Sequence, residues 1–170
     1  MDKNLRIIVW SQLGASIDML ENAIKSCPEN VWGNQAGYHE FWYIAYHTLF
    51  WLDFYLSETS DNFTPPSPFT LSEFDPEGIL PERVYTKDEL LNYLKHGRKK
   101  CKSRIESLTE EKANQRFVFG SINLNVLELI LYNMRHVQHH AAQLNLLLRQ
   151  KIDDSPRWVK QTGIQLQLND

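Results

Sequence analysis

Apolar residues near the N-terminus recur at three- and four-residue spacing: Leu5, Ile8, Val9, Leu13, Ile17, Leu20 and Ile24. That period predicts an amphipathic helix from about Asn4 to Ser26, stopped by Pro28. A second segment, roughly His39 to Leu56, contains "FWYIAYHTLFWLDFYL" and is apolar almost all round, the pattern of a helix enclosed by others. A connection from Ser57 to about Tyr85 follows, with Pro65, Pro66, Pro68, Pro76 and Pro81. It is longer than structural linkers usually are, so it has the reach to cover one end of a bundle and to let the helices it joins lie parallel.

Thr86 and Glu89 have capping-box spacing and open a third helix to about Leu108. Asn125 and Glu128 repeat that start signal for a fourth helix running to about Lys151. The tail "KQTGIQLQLND" alternates weakly, as a short strand or an extended arm would. Strand signals are otherwise nearly absent. The pattern predicts an all-α fold, a four-helix bundle with a long crossover between helices two and three, in one domain over residues 1–170.

Composition narrows the class without changing this architecture. A chain of 170 residues with 42% apolar and 23% charged residues is long enough for a sizeable core. The net charge of -3 argues against a nucleic-acid binder. The one basic run, "GRKKCKSR" from Gly97 to Arg104, reads more readily as a solvated helix face than as a phosphate-binding patch. Two distant cysteines, Cys27 and Cys101, argue against a disulfide framework and for a cytoplasmic setting. The longest apolar stretch is too short and too interrupted for a membrane span, and no signal peptide is evident.

Candidate chemistry concentrates in "HVQHHAAQL", His136 to Leu144. At ~100° per residue, His136 and His140 share one face of the fourth helix, about 40° apart and one turn along. The apolar arc of Leu129, Ile130, Val137, Leu144, Leu147 and Leu148 contains His140 and has His136 on its edge. His139 falls outside that arc, on the rim or the surface. Two inward imidazoles need partners, which a shared ion or a structural polar network would supply equally well.

His47, midway along the enclosed second helix, is the natural third ligand. His39 sits near a helix start, where a capping or surface role is expected, and His96 is expected to be solvated. Gln143, one turn beyond His140, is a candidate to hydrogen-bond a ligand or cofactor, or simply another helix. Of the acidic groups on helix two, Glu58 lies three turns along from His47 and Asp53 faces away from it, so neither has the spacing of a ligand. Three histidines that leave a coordination position open describe a catalytic site more than a closed structural one.

A lone histidine in helix two followed by H-x-x-H-H-x-x-Q-L in the last helix resembles the DinB-like superfamily of bacterial four-helix-bundle proteins classed as metalloenzymes. H-x-x-x-H alone is common; the longer motif with its upstream histidine is much less so. The likeness spans nearly the whole chain, although Ala142 stands where many members carry glycine. It implies His47, His136 and His140 as ligands of a divalent ion, nickel or zinc. It also implies thiol-dependent chemistry with a low-molecular-weight thiol, a small-molecule substrate and a homodimer. A metal-dependent S-transferase or hydrolase is therefore the leading expectation. The alternative is a non-catalytic metal- or ligand-binding bundle involved in stress response.

Overall fold

The computed structural model describes residues 1–34 and 37–168, and among these four long helices make the bundle. They are α1 (Lys3–Ser26), α3 (Phe41–Tyr55), α4 (Lys87–Glu106) and α6 (Val126–Ile152). Two one-turn helices, α2 (Glu29–Trp32) and α5 (Glu110–Asn114), and a hairpin of β1 (Arg116–Phe119) and β2 (Ile122–Asn125) occupy the connections. The sequence pattern did not predict α2, α5 or the hairpin.

Helix boundaries follow from capping chemistry. Asp2 accepts from the backbone amides of Asn4 and Leu5 and so starts α1. At α4 the Thr86 hydroxyl accepts from the Glu89 amide at 3.2 Å, and the Glu89 carboxylate accepts from the Thr86 amide at 2.8 Å. Asn125 accepts from the Glu128 amide at 2.8 Å to open α6. Pro28 ends α1 as expected, but it also serves as the N-cap of α2, where its missing amide costs nothing.

α1 packs on α4 and α6, and α3 packs on the same two helices from the other side. Arg6 reaches the Glu106 carbonyl and Lys87 the Cys27 carbonyl, so α1 and α4 are antiparallel. Trp42 packs on Tyr85 just before α4, and Lys100 bonds Ser57 just after α3, so α3 and α4 are parallel. The long connection delivers the parallel pairing its length allows. Gly97 lets the two helices approach: a Cβ there would lie 3.1 Å from Leu52 Cδ2. Tyr55 against Tyr132 and His47 against His140 make α3 and α6 antiparallel.

The core is centred on α3, whose Phe41, Trp42, Tyr46, Leu49, Phe50 and Phe54 are all at most 2% exposed. Each such side chain contributes roughly 1.5–3 kcal/mol of burial. Phe63, Phe69 and Phe74 extend that core into the crossover, with Phe69 stacked on Tyr93 at 4.3 Å. In α1 the predicted apolar stripe is buried from Val9 to Ile24, while Leu5 and Ile8 near its start are exposed.

The C-terminal tail is an extended arm, not a strand, across its described residues. It runs back along α1: the Thr162 amide donates to the Ser11 carbonyl at 3.1 Å, and Trp10 Nε1 donates to the Ile164 carbonyl. Gly14 makes room for it, since a Cβ there would lie 2.6 Å from Thr162 Cγ2. Asn169 and Asp170, the last residues of the alternating pattern, lie outside the described residues. No described helix is long and apolar enough to cross a membrane.

Candidate metal centre

His47 from α3 and His136 and His140 from α6 meet in the groove between the two antiparallel helices. One imidazole nitrogen from each lies within 4.8 Å of the others. The rings sit 5.3, 4.8 and 4.5 Å apart, centroid to centroid, for the 47–136, 47–140 and 136–140 pairs. His47 Nε2 and His136 Nε2 face each other at 3.3 Å.

The neighbours of these rings decide which nitrogen each can offer. His47 Nδ1 is 2.7 Å from Glu73 Oε2, an acceptor, so a neutral His47 carries its lone pair on Nε2. His140 Nδ1 is 2.7 Å from Gln143 Oε1, which fixes the same tautomer and leaves its lone pair on Nε2. His136 Nδ1 is buried without a hydrogen-bond partner, which leaves Nε2 as its working nitrogen. Three converging imidazoles with two tautomers fixed are a donor set that fits a borderline divalent ion.

Electrostatics keep the two α6 rings, His136 and His140, neutral. Burial pushes His136 down to about 3, helped by the neighbouring imidazoles of His140, His47 and His139. Burial likewise pulls His140 down to about 4, against an opposing hydrogen bond from Gln143 and with help from His47 and His139. Neutral imidazole is the ligating form.

The sign of the resulting pH dependence is fixed. With both folded values below the ordinary ~6.5 of histidine, the unfolded chain binds more protons as the medium acidifies. Chelator-treated protein should therefore keep its full stability above pH ~6.5 and lose it as pH falls toward the folded values of about 4 and about 3. Urea titrations across that window check this, and His136→Gln should flatten the slope.

Glu73, in a single 3-10 turn of the crossover (Ser72–Phe74), was not anticipated from the sequence. Its side chain is only 5% exposed, and it accepts from His47, from Tyr43 OH at 2.7 Å and from Trp51 Nε1 at 2.9 Å. Burial alone would raise its carboxyl, but the hydrogen bonds from His47, Tyr43 and Trp51 outweigh that and hold it below the ordinary carboxylate range. Through Glu73 the crossover becomes one wall of a cavity of about 500 Å³, whose aromatic lining includes Tyr38, Tyr43, Trp51, Tyr55 and Tyr132.

Other sequence expectations fare unevenly. The fully buried arc of α6 is centred near Val137, so His136 and His140 lie on its flank toward α3 and are half-buried. Their order is also reversed: Tyr55 and Tyr132 shelter His136, whereas His140 sits beside the exposed Gln143. His139 is exposed and borders a separate hollow with Tyr132, Arg135 and His136. His39 is exposed in the turn before α3. His96 is exposed, as expected, and its Nε2 also lies 3.4 Å from the buried Asp53 carboxylate.

A three-histidine groove between two antiparallel helices, walled by the crossover, defines a histidine-lined four-helix bundle as the class. The model of the DinB superfamily matches residues 12–144, a span that includes all three histidines, and the chain belongs to that superfamily. No curated protein matches the chain.

Proposed function

We propose that this chain is a divalent-metal-dependent enzyme with His47, His136 and His140 as its metal ligands. The observation that carries the reading is the convergence of one imidazole nitrogen from each of the three histidines within 4.8 Å, with Nδ1 of His47 and of His140 engaged by Glu73 and Gln143. Nickel or zinc suits an all-imidazole donor set. When bound, such an ion lowers the pKa of a thiol or water that it binds, which supplies a nucleophile near neutral pH.

The reaction in this reading is transfer of a low-molecular-weight thiol to a small electrophile, its sulfur forming the new bond while the thiol proton and any leaving group pass to solvent, or hydrolysis. The chain's own thiols are unsuited to that role. Cys27 and Cys101 are buried, and burial pushes the Cys27 thiol up to about 12. Glu73 fixes the orientation of His47, Gln143 that of His140, and the tyrosine-lined wall leaves room for a small-molecule substrate. Two free cysteines agree with a reducing, cytoplasmic setting. Ile7 and Ile8, 45% and 60% exposed on α1, support a homodimer.

The test is metal analysis of protein purified without an affinity tag, followed by a screen of thiols and water against electrophiles. The proposal expects about one divalent ion per chain and a turnover that His47→Ala abolishes. Stoichiometric metal with no turnover by any thiol would leave a binding protein, and absence of metal would sink the assignment.

A further inference from the structure

The cavity beside the histidines offers an occupant fewer hydrogen-bond donors than its residues suggest. Tyr43 OH and Trp51 Nε1 both donate to Glu73, at 2.7 and 2.9 Å, and Tyr38 OH donates to the Gly78 carbonyl. The polar ends of these three wall residues are therefore engaged by the crossover itself. What they have left for a ligand is ring surface, whose face is the negative pole of the aromatic quadrupole.

The charges of the wall point the same way. Glu73 has a side chain only 5% exposed, and none of its three donors is a lysine or an arginine. Asp75 also lines the cavity. Its Oδ1 accepts from the Glu77 amide at 2.8 Å, and neither oxygen has a cationic partner among the described residues. No described lysine or arginine lines the cavity; Arg135 borders the separate hollow with His139. A divalent ion on the histidines would be matched by Glu73 and Asp75 together. An anionic nucleophile in the groove would then leave one negative charge uncompensated.

We infer that this cavity selects a small organic cation, and that the substrate of the enzyme proposed above carries a protonated amine or quaternary ammonium group. The second half rests on the metal-enzyme reading; the selectivity rests on the wall alone. Phenol and indole faces hold an ammonium group by cation–π attraction, and the Asp75 carboxylate supplies a counter-charge beside them. The same wall discriminates against carboxylates and phosphates, which meet two acids and no cationic side chain.

Calorimetric titrations of the full chain, metal-loaded and chelator-treated, with benzyltrimethylammonium, benzyl alcohol and benzoate test this. The three probes share an aromatic ring and differ in charge, and the quaternary cation has no lone pair with which to ligate a metal. In both forms of the protein the cation should bind saturably and roughly tenfold more tightly than the alcohol. In chelator-treated protein benzoate should bind more weakly than either. Asp75→Asn keeps an acceptor for the Glu77 amide, and it should weaken the cation about fivefold while leaving the alcohol unchanged. Tyr38→Leu, at an exposed position, should narrow the gap between cation and alcohol. Equal affinity for cation and alcohol, tighter binding of benzoate by chelator-treated protein, or full cation affinity in Asp75→Asn would each overturn the inference. A chain that takes up no metal but keeps the selectivity would support it and sink the metal assignment alone, whereas metal uptake without selectivity would sink this inference alone.

Discussion

Replacing His140 by alanine should leave the bundle folded and weaken divalent-metal binding by more than about 100-fold, the upper end of what loss of a ligand's hydrogen-bond partner costs. Two imidazoles on one helix and one on its neighbour leave no fourth protein nitrogen among the described residues to replace it. Folding should survive because His140 is half-buried on the flank of α6, next to exposed Gln143, and is no part of the apolar core. Glu73→Gln makes the argument sharper. It keeps an oxygen near His47 Nδ1 but removes the charge that three donors now share, so affinity should fall by about tenfold. Competition with a chromophoric chelator measures both variants. If His140→Ala binds metal as tightly as the parent chain, the three-histidine site is wrong.

The helices were legible because each announces itself locally. Alternation at 3.6 residues, the Thr86–Glu89 box and Asn125 before Glu128 depend on neighbours a few positions away. The β1–β2 hairpin also carries a local signal, a weaker one: "RFVFGSIN" places Gly-Ser between two alternating runs, with Phe117 buried, Val118 exposed and Gly120 at φ +54 in the turn. The three histidines were found together because helical phase relates His136 to His140, and enclosure singles out His47.

Glu73 was beyond such reasoning. Its partner His47 is 26 positions earlier, and only the path of an irregular, proline-bearing crossover brings the carboxylate to the ring. A carboxylate in a long loop next to Phe74 carries no period and no cap pattern to mark it. The same limit explains Asp53. Spacing shows that it faces away from His47, but not that Tyr93, His96 and Lys100 of α4 converge on it.

Asp53→Ala should be the most destabilising of these substitutions, by about 3 kcal/mol, because it breaks a largely buried ion pair by removing one partner. The Asp53 side chain is 1% exposed; Tyr93 OH donates to its Oδ2 at 3.2 Å, and Lys100 Nζ to its Oδ1 at 2.6 Å. Alanine leaves the buried Tyr93 hydroxyl without its acceptor and the Lys100 ammonium without its counter-charge. Lys100 is 30% exposed and keeps its bonds to the Asp53 carbonyl and Ser57, which holds the loss to the lower end of the buried-pair range. For a chain of this size the melting temperature should drop by roughly 6–12 °C. Asp53→Asn, which retains an acceptor for Tyr93 and Lys100, should cost less. Metal affinity should not change in either variant, since six positions along α3 turn Asp53 about 240° away from His47. Thermal denaturation and chelator competition on the same samples separate the two effects. A variant that melts like the parent chain but loses its metal would show that Asp53 serves the histidine site and not the α3–α4 contact.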